Sequence, residues 1–190
     1  AAATLYLAYG AIAHAEPKAA NDAPSVARAL FYEARALMKD GKYQLACPKL
    51  EESLRLDHGI GTEFNLADCN EKIGKLATAW SGFLSVAATA KTQNQTEREK
   101  VARDRADHLE PRLPTLVIDV PSTAPPGLEV KRDGAVVAAT DFGRAAPVDP
   151  GPHRIVVSAP GKKPWLGTVN ASAGTLVRIA VPSALLDAAP

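Results

Sequence analysis

The chain of 190 residues carries a formal net charge of +1, with 46% apolar and only 5% aromatic residues. This is enough apolar content for a real core, and the length allows one large domain or two small ones. Residues 16–113 hold 15 basic and 15 acidic side chains and residues 114–190 hold 7 and 6; neither half has the basic excess that phosphate neutralisation needs, and aromatics are too sparse for base stacking, so nucleic acid is excluded as an expected partner.

Residues 1–15, AAATLYLAYGAIAHA, are uncharged, mostly apolar and close on Ala13-His14-Ala15 ahead of polar Glu16-Pro17-Lys18. This is the pattern of the apolar part and cleavage site of a secretory signal peptide, and it is too short to span a bilayer, which takes about 20 apolar residues. It predicts an exported chain; the alternative is an Ala-rich tail at a fragment boundary.

A first helix is expected from Asp22 to Pro24 onward, where an acidic cap candidate and an early proline suit a helix start. Gly41 stops it, and a return helix is predicted from Tyr43 to Leu56, with Pro48 removing one backbone donor and distorting it slightly. A second hairpin is predicted over Thr62 to Ile73 and Leu76 to Thr92. Thr96-Glu97-Arg98-Glu99 has the form of a capping box. The fifth helix it would open runs to about Glu110, pairs Glu99 with Arg103 and Arg103 with Asp107, and keeps Val101, Ala102, Ala106 and Leu109 on one side.

Within this half the chain repeats itself at 33 residues. Phe31, Ala34, Lys39, Gly41, Lys42 and Ala46 recur as Phe64, Ala67, Lys72, Gly74, Lys75 and Ala79, and Leu50 returns as Phe83. A period near 33 or 34 indicates stacked helical hairpins. With small Ala34 at a close helix contact, Gly41 at the turn, and Tyr43, Ala46 and Leu50 on the returning face, the stretch 27–90 resembles a pair of tetratricopeptide (TPR) repeats. It departs from that family at Glu63 and Asn70, which stand where large apolar side chains are usual, and at His58, which replaces a proline.

The resemblance implies a helical repeat domain over 22–110, with the fifth helix as its cap, that binds another protein or peptide segment. The opening helices of such repeats line the concave side, which makes Arg28, Phe31, Arg35 and Met38, with Phe64, Asp68 and Glu71, the implied contact residues. Phe31 and Phe64 replace the lysine, and Arg35 and Asp68 the asparagine, of the repeats that clamp a carboxyl terminus. An extended or helical segment with an apolar anchor and an acidic group fits better; otherwise the phenylalanines pack between hairpins. In the repeat register Cys47 and Cys69 fall on neighbouring helices, either as a disulfide of an exported chain or as two small buried thiols.

Pro111 and Pro114 end the helical half. From Thr115 the pattern becomes short β-branched runs, TLVIDV, GLEVKRDGAVV, HRIVVSA, PWLGTVNA and TLVRIAV, punctuated by Asp133-Gly134, Pro150-Gly151, Pro160-Gly161 and Ala173-Gly174. These predict a small antiparallel sandwich. The order APPGLEVKRDG, then AAPVDPGPHRIVVSAPGKKPW, then a Gly-Thr before the last strand, resembles the PEGA module of bacterial and archaeal surface proteins over residues 115–182. The expected class is therefore α+β in two modules, and the resemblances imply a bacterial protein of the periplasm or cell surface.

No catalytic motif is present. Gly59-Ile60-Gly61 follows a helix and Gly161-Lys162-Lys163 lacks a phosphate loop's remaining residues. His14, His58, His108 and His153 are scattered, with no second ligand at helical or hairpin spacing. The expectation is a non-catalytic interaction or scaffold protein without metal or cofactor. Two alternatives remain: a sandwich that binds carbohydrate or cell wall with Trp165 as a stacking platform, although packing of Trp165 in the core or over an edge of the sandwich is the favoured reading of that residue, and an extracytoplasmic piece of a larger signalling protein.

Overall fold

The computed structural model describes residues 23–182; the expected signal segment 1–15 and the Asp22 cap lie outside them. Five helices come first: α1 (Ala23–Lys39), α2 (Tyr43–Leu56), α3 (Ile60–Lys72), α4 (Leu76–Thr92) and α5 (Thr96–Leu109). Three of their turns are built alike. Gly41, Gly74 and Asn94 adopt positive φ, and the next residue's amide reaches back five residues, from Lys42 to Leu37, Lys75 to Asn70 and Gln95 to Ala90, each at 2.9 Å. This left-handed cap satisfies the last carbonyls of the outgoing helix and starts the next one almost at once.

The 33-residue recurrence is a recurrence of burial. Ala34, Ala46 and Leu50 of the first hairpin and Ala67, Ala79 and Phe83 of the second are all buried, because small side chains let the two helix axes approach. The helix runs unbroken through Pro48. The expected capping box does not form: Gln95 holds the cap position of α5, without a side-chain cap bond, and Thr96 is already the first helical residue. The tight turn leaves no extended residue for Thr96 to occupy. Of the expected pairs on α5, Arg103 meets Glu99 at 3.0 Å, while Val101 faces solvent.

Seven strands follow: β1 (Thr115–Asp119), β2 (Glu129–Arg132), β3 (Ala135–Val137), β4 (Ala146–Pro147), β5 (Gly151–Ser158), β6 (Trp165–Ala171) and β7 (Leu176–Ala180). They form one sheet of order β4-β1-β7 and another of order β3-β2-β5-β6. Leu116 and Ile118 of the first and Val130, Ile155 and Val157 of the second share one core. The sequence predicts an antiparallel module, but β1 and β7 pair in parallel. They are the first and last strands, and the chain between them is long enough to return in the same direction, which a short hairpin cannot do.

The two halves are joined by more than a linker. After a 3-10 turn at Glu110–Arg112, Leu113 is buried in the helical core, and the Pro114 and Arg112 carbonyls accept from Val148 and Gly174. Asp149 then reaches across to α4. Its carboxylate accepts from the Thr78 amide at 2.9 Å and from the Thr78 hydroxyl at 2.6 Å. Thr78 is the third residue of α4, whose own cap residue, Lys75, makes no side-chain cap bond. An aspartate of the strand half thus supplies the anion that the free amides of this helix favour.

Asp149 is itself held. Its carbonyl lies 2.7 Å from Nε2 of buried His153, whose Nδ1 lies 2.6 Å from Asp133. Both contacts are satisfied together only when both ring nitrogens donate. Asp133 sits in the hairpin turn between β2 and β3 at φ 51°, ahead of Gly134 at φ 88°, the backbone of a type I′ turn. Burial pushes its carboxyl up, but the His153 ring and the Arg154 amide outweigh it and hold Asp133 below its ordinary 3.8.

The lowered Asp133 value fixes a sign. Stability from this group is present above pH 3.8 and is lost as pH falls through the lower folded-state value. Thermal melts on acidification below about pH 4 should therefore show a loss that Asp133→Asn partly removes; equal acid slopes in both proteins would contradict it. Asp149→Ala, which uncaps α4, should cost about 1 kcal/mol, read from denaturant midpoints. At Gly167, an added Cβ would lie 2.3 Å from the Trp165 ring and 2.8 Å from the Ile179 methyl. Gly167→Ala is expected to cost about 1–3 kcal/mol.

Candidate functional site

Along α1, Arg28, Phe31, Tyr32, Arg35 and Met38 fall at i, i+3, i+4, i+7 and i+10, which places them in one stripe. Ala27 and Ala34 carry the buried side of the same helix. Phe31 and Met38 are half-buried against the core of Ala34, Ala46 and Leu50, so their outer edges form the floor of the stripe. Tyr32 stands out from it, 63% exposed, with its ring edge-on to Phe31 at 5.5 Å. The Arg35 guanidinium lies 5.9 Å over the Phe31 ring. Neither Arg28 nor Arg35 has a carboxylate partner among the described residues, in contrast to Glu33, which pairs with Lys49. Beside Arg28 and Phe31, a shallow hollow of about 210 Å³ is closed by Ser53, Asp57 and Thr62.

The three expected contact residues on α3 are placed differently. Phe64 packs onto Phe83 at 5.3 Å and is half-buried between two core clusters. Asp68 and Glu71 both accept from Arg105 of α5, each at 2.6 Å. The Arg105 guanidinium also lies 4.6 Å over the Phe83 ring. Burial works against its charge, yet the two carboxylates outweigh that and raise the value above the ordinary arginine range. The seven residues therefore divide: on α1, Arg28 and Arg35 are exposed and Phe31 and Met38 half-buried beside them, whereas the three on α3 tie that helix to α4 and α5. The sequence missed Tyr32 and Arg105. Tyr32 follows Phe31 in the same stripe and was legible; Arg105 sits on a charge-rich helix whose other ion pairs are local.

Cys47 and Cys69 are joined as a disulfide between α2 and α3, which ties the two hairpins together. Trp165 lies between the sheets rather than on an open face, half-buried against the core and over Gly167. Chemically, the α1 stripe offers apolar contact and two cations. It presents no nucleophile with a base within hydrogen-bond reach.

Replacing Arg105 by methionine removes both charge-assisted bonds while keeping much of the apolar stem. Loss of about 1–3 kcal/mol is expected, measured by chemical denaturation, and an unchanged midpoint would mean that Asp68 and Glu71 are simply solvated. No protein-family model matches the chain, and no curated protein or solved structure shows significant similarity to it.

Proposed function

We propose that this chain is a non-catalytic interaction protein, a scaffold whose TPR-like helical hairpins bind another protein through α1, with a PEGA-like sandwich as a spacer or second contact. The observation that carries this reading is the α1 stripe, where an aromatic pair lies between two guanidiniums that have no carboxylate partner among the described residues. A partner segment with an apolar anchor set against Phe31 and Tyr32, and carboxylates near Arg28 and Arg35, would complete those charges.

The Cys47–Cys69 bridge supports an oxidising compartment, and so export to a bacterial periplasm or cell surface, because such bridges persist there and are rare in the cytosol. Among the described residues no helix is long and apolar enough to cross a membrane. Glycan binding at Trp165 has weaker support, since the ring is spent on packing against Gly167.

Affinity capture with the intact chain tests the reading. Proteins retained by the wild type should be lost with the double variant Phe31→Ala, Arg35→Glu, while the far-UV spectrum stays helical. Undiminished retention by the variant would move the contact surface off α1.

A further inference from the structure

A cleft of about 360 Å³ opens where the two halves meet, lined by Thr78 and Ser81 of α4 and by Arg132, Asp133, Asp149 and His153 of the strand half. His153 is the titratable group of that wall which partner binding at α1 leaves unused. It lies on β5, paired with Val169 of β6, and is only 8% exposed. Its ring sits between two acceptors: Nδ1 is 2.6 Å from the Asp133 carboxylate and Nε2 is 2.7 Å from the Asp149 carbonyl. A carboxylate and a carbonyl can only accept, so the two short contacts together require an N–H at both ring nitrogens, which is the imidazolium.

A neutral imidazole keeps a single N–H. The charged acceptor makes the stronger bond, so that N–H stays at Nδ1 on Asp133, whose other oxygen is held by the Arg154 amide at 2.8 Å. The Nε2 proton leaves to solvent through the cleft, and its lone pair then faces the Asp149 carbonyl, acceptor against acceptor. Asp149 is also the residue whose carboxylate caps α4, at 2.9 Å from the Thr78 amide and 2.6 Å from its hydroxyl. Moving its carbonyl off the ring draws the same residue away from α4. We propose that His153 is a proton-dependent latch between the two halves, which holds Asp149 on Thr78 when the ring is charged and releases it when the ring is neutral. The other charges of the cleft wall are the Asp133 and Asp149 carboxylates and the Arg132 guanidinium, two anions against one cation, a balance that favours the charged ring. β6 carries no titratable side chain, and Ala77, Thr78 and Ser81 of α4 do not titrate. A proton bound more tightly by the docked form stabilises docking, so the contact is firmest at the acid end of the histidine range and weakens as pH rises through it. The backbone bonds at Arg112 and Pro114 hold no titratable group, so the halves stay joined and the response is confined to the cleft.

Ring-nitrogen magnetic resonance spectra of the intact chain, taken across about pH 5–8 where histidines change charge, read the latch directly. Protons on both His153 nitrogens at the acid end, and on Nδ1 alone at the basic end, are the expected result. Over the same steps the protection of the Thr78 amide against hydrogen exchange, corrected for the intrinsic rate, should fall about fivefold, the scale of one hydrogen bond. His153→Gln keeps a donor but cannot titrate, and in it Thr78 protection should no longer depend on pH. His58 and His108 remain in that variant, so a response driven by either would persist. Should the variant not fold, the wild-type ring spectra and Thr78 protection decide between the outcomes without it. A ring that holds one charge state throughout, a ring that titrates while Thr78 protection stays constant, or a Thr78 response that survives in His153→Gln would overturn the proposal.

Discussion

The close approach of α3 and α4 at Ala67 and Gly82 is the constraint on which the helical half depends. Even a methyl on Gly82 would crowd the contact, since its Cβ would lie only 3.0 Å from that of Ala67. That contact sets the height at which Phe83 enters the core and meets Phe64. It also fixes where Arg105 can rest on Phe83 while reaching Asp68 and Glu71. Ala79 of α4 is fully buried in the same half, and the first hairpin repeats Ala67 and Ala79 as Ala34 and Ala46, both fully buried, while Lys49 stands where the second hairpin has Gly82. Small residues at these points are what the 33-residue period encodes.

Three sides of α3 consequently do three different things. One side carries Cys69, which is buried against α2 and takes the disulfide. A second sends two carboxylates to a single guanidinium and so closes the stack with α5. The third lines a groove with Glu63 and Asn70. The carboxylates of the second side are paired, as burial demands, whereas one oxygen of Glu63 and the side-chain oxygen of Asn70 have no hydrogen-bond partner among the described residues. The Asp149 cap on α4 works in the opposite sense, since it satisfies a helix end with a residue from the other half and so couples the two halves mechanically.

Much of the helical half was legible in the sequence because its signals are local. Gly41 and Gly74 mark turns that need positive φ, and the identity of Ala34 with Ala67 and Ala46 with Ala79 marks the contacts. The capping box at Thr96 was misread because Asn94 already supplies the turn, so the helix begins before a cap is needed. In the strand half the runs were legible from β-branched residues and Asp133-Gly134, while the parallel partnership of β1 and β7 depends on strands separated by most of the module. Asp149 precedes the Pro150-Gly151 turn, and no sequence signal singles it out. Nothing local says that its carboxylate reaches Thr78, or that His153 and Asp133 stand behind it. Phe64 shares its repeat position with Phe31, yet Phe83, which follows Leu50 at the same spacing, gives it a ring to pack against edge-on.

The central claim is that α1 is the surface a protein partner covers. Amide hydrogen exchange on the chain with its captured partner bound, compared with the chain alone, tests it most directly. Slowed exchange concentrated in residues 28–39 is the predicted result. Protection confined to residues 115–181, with α1 exchanging as in the free chain, would contradict it.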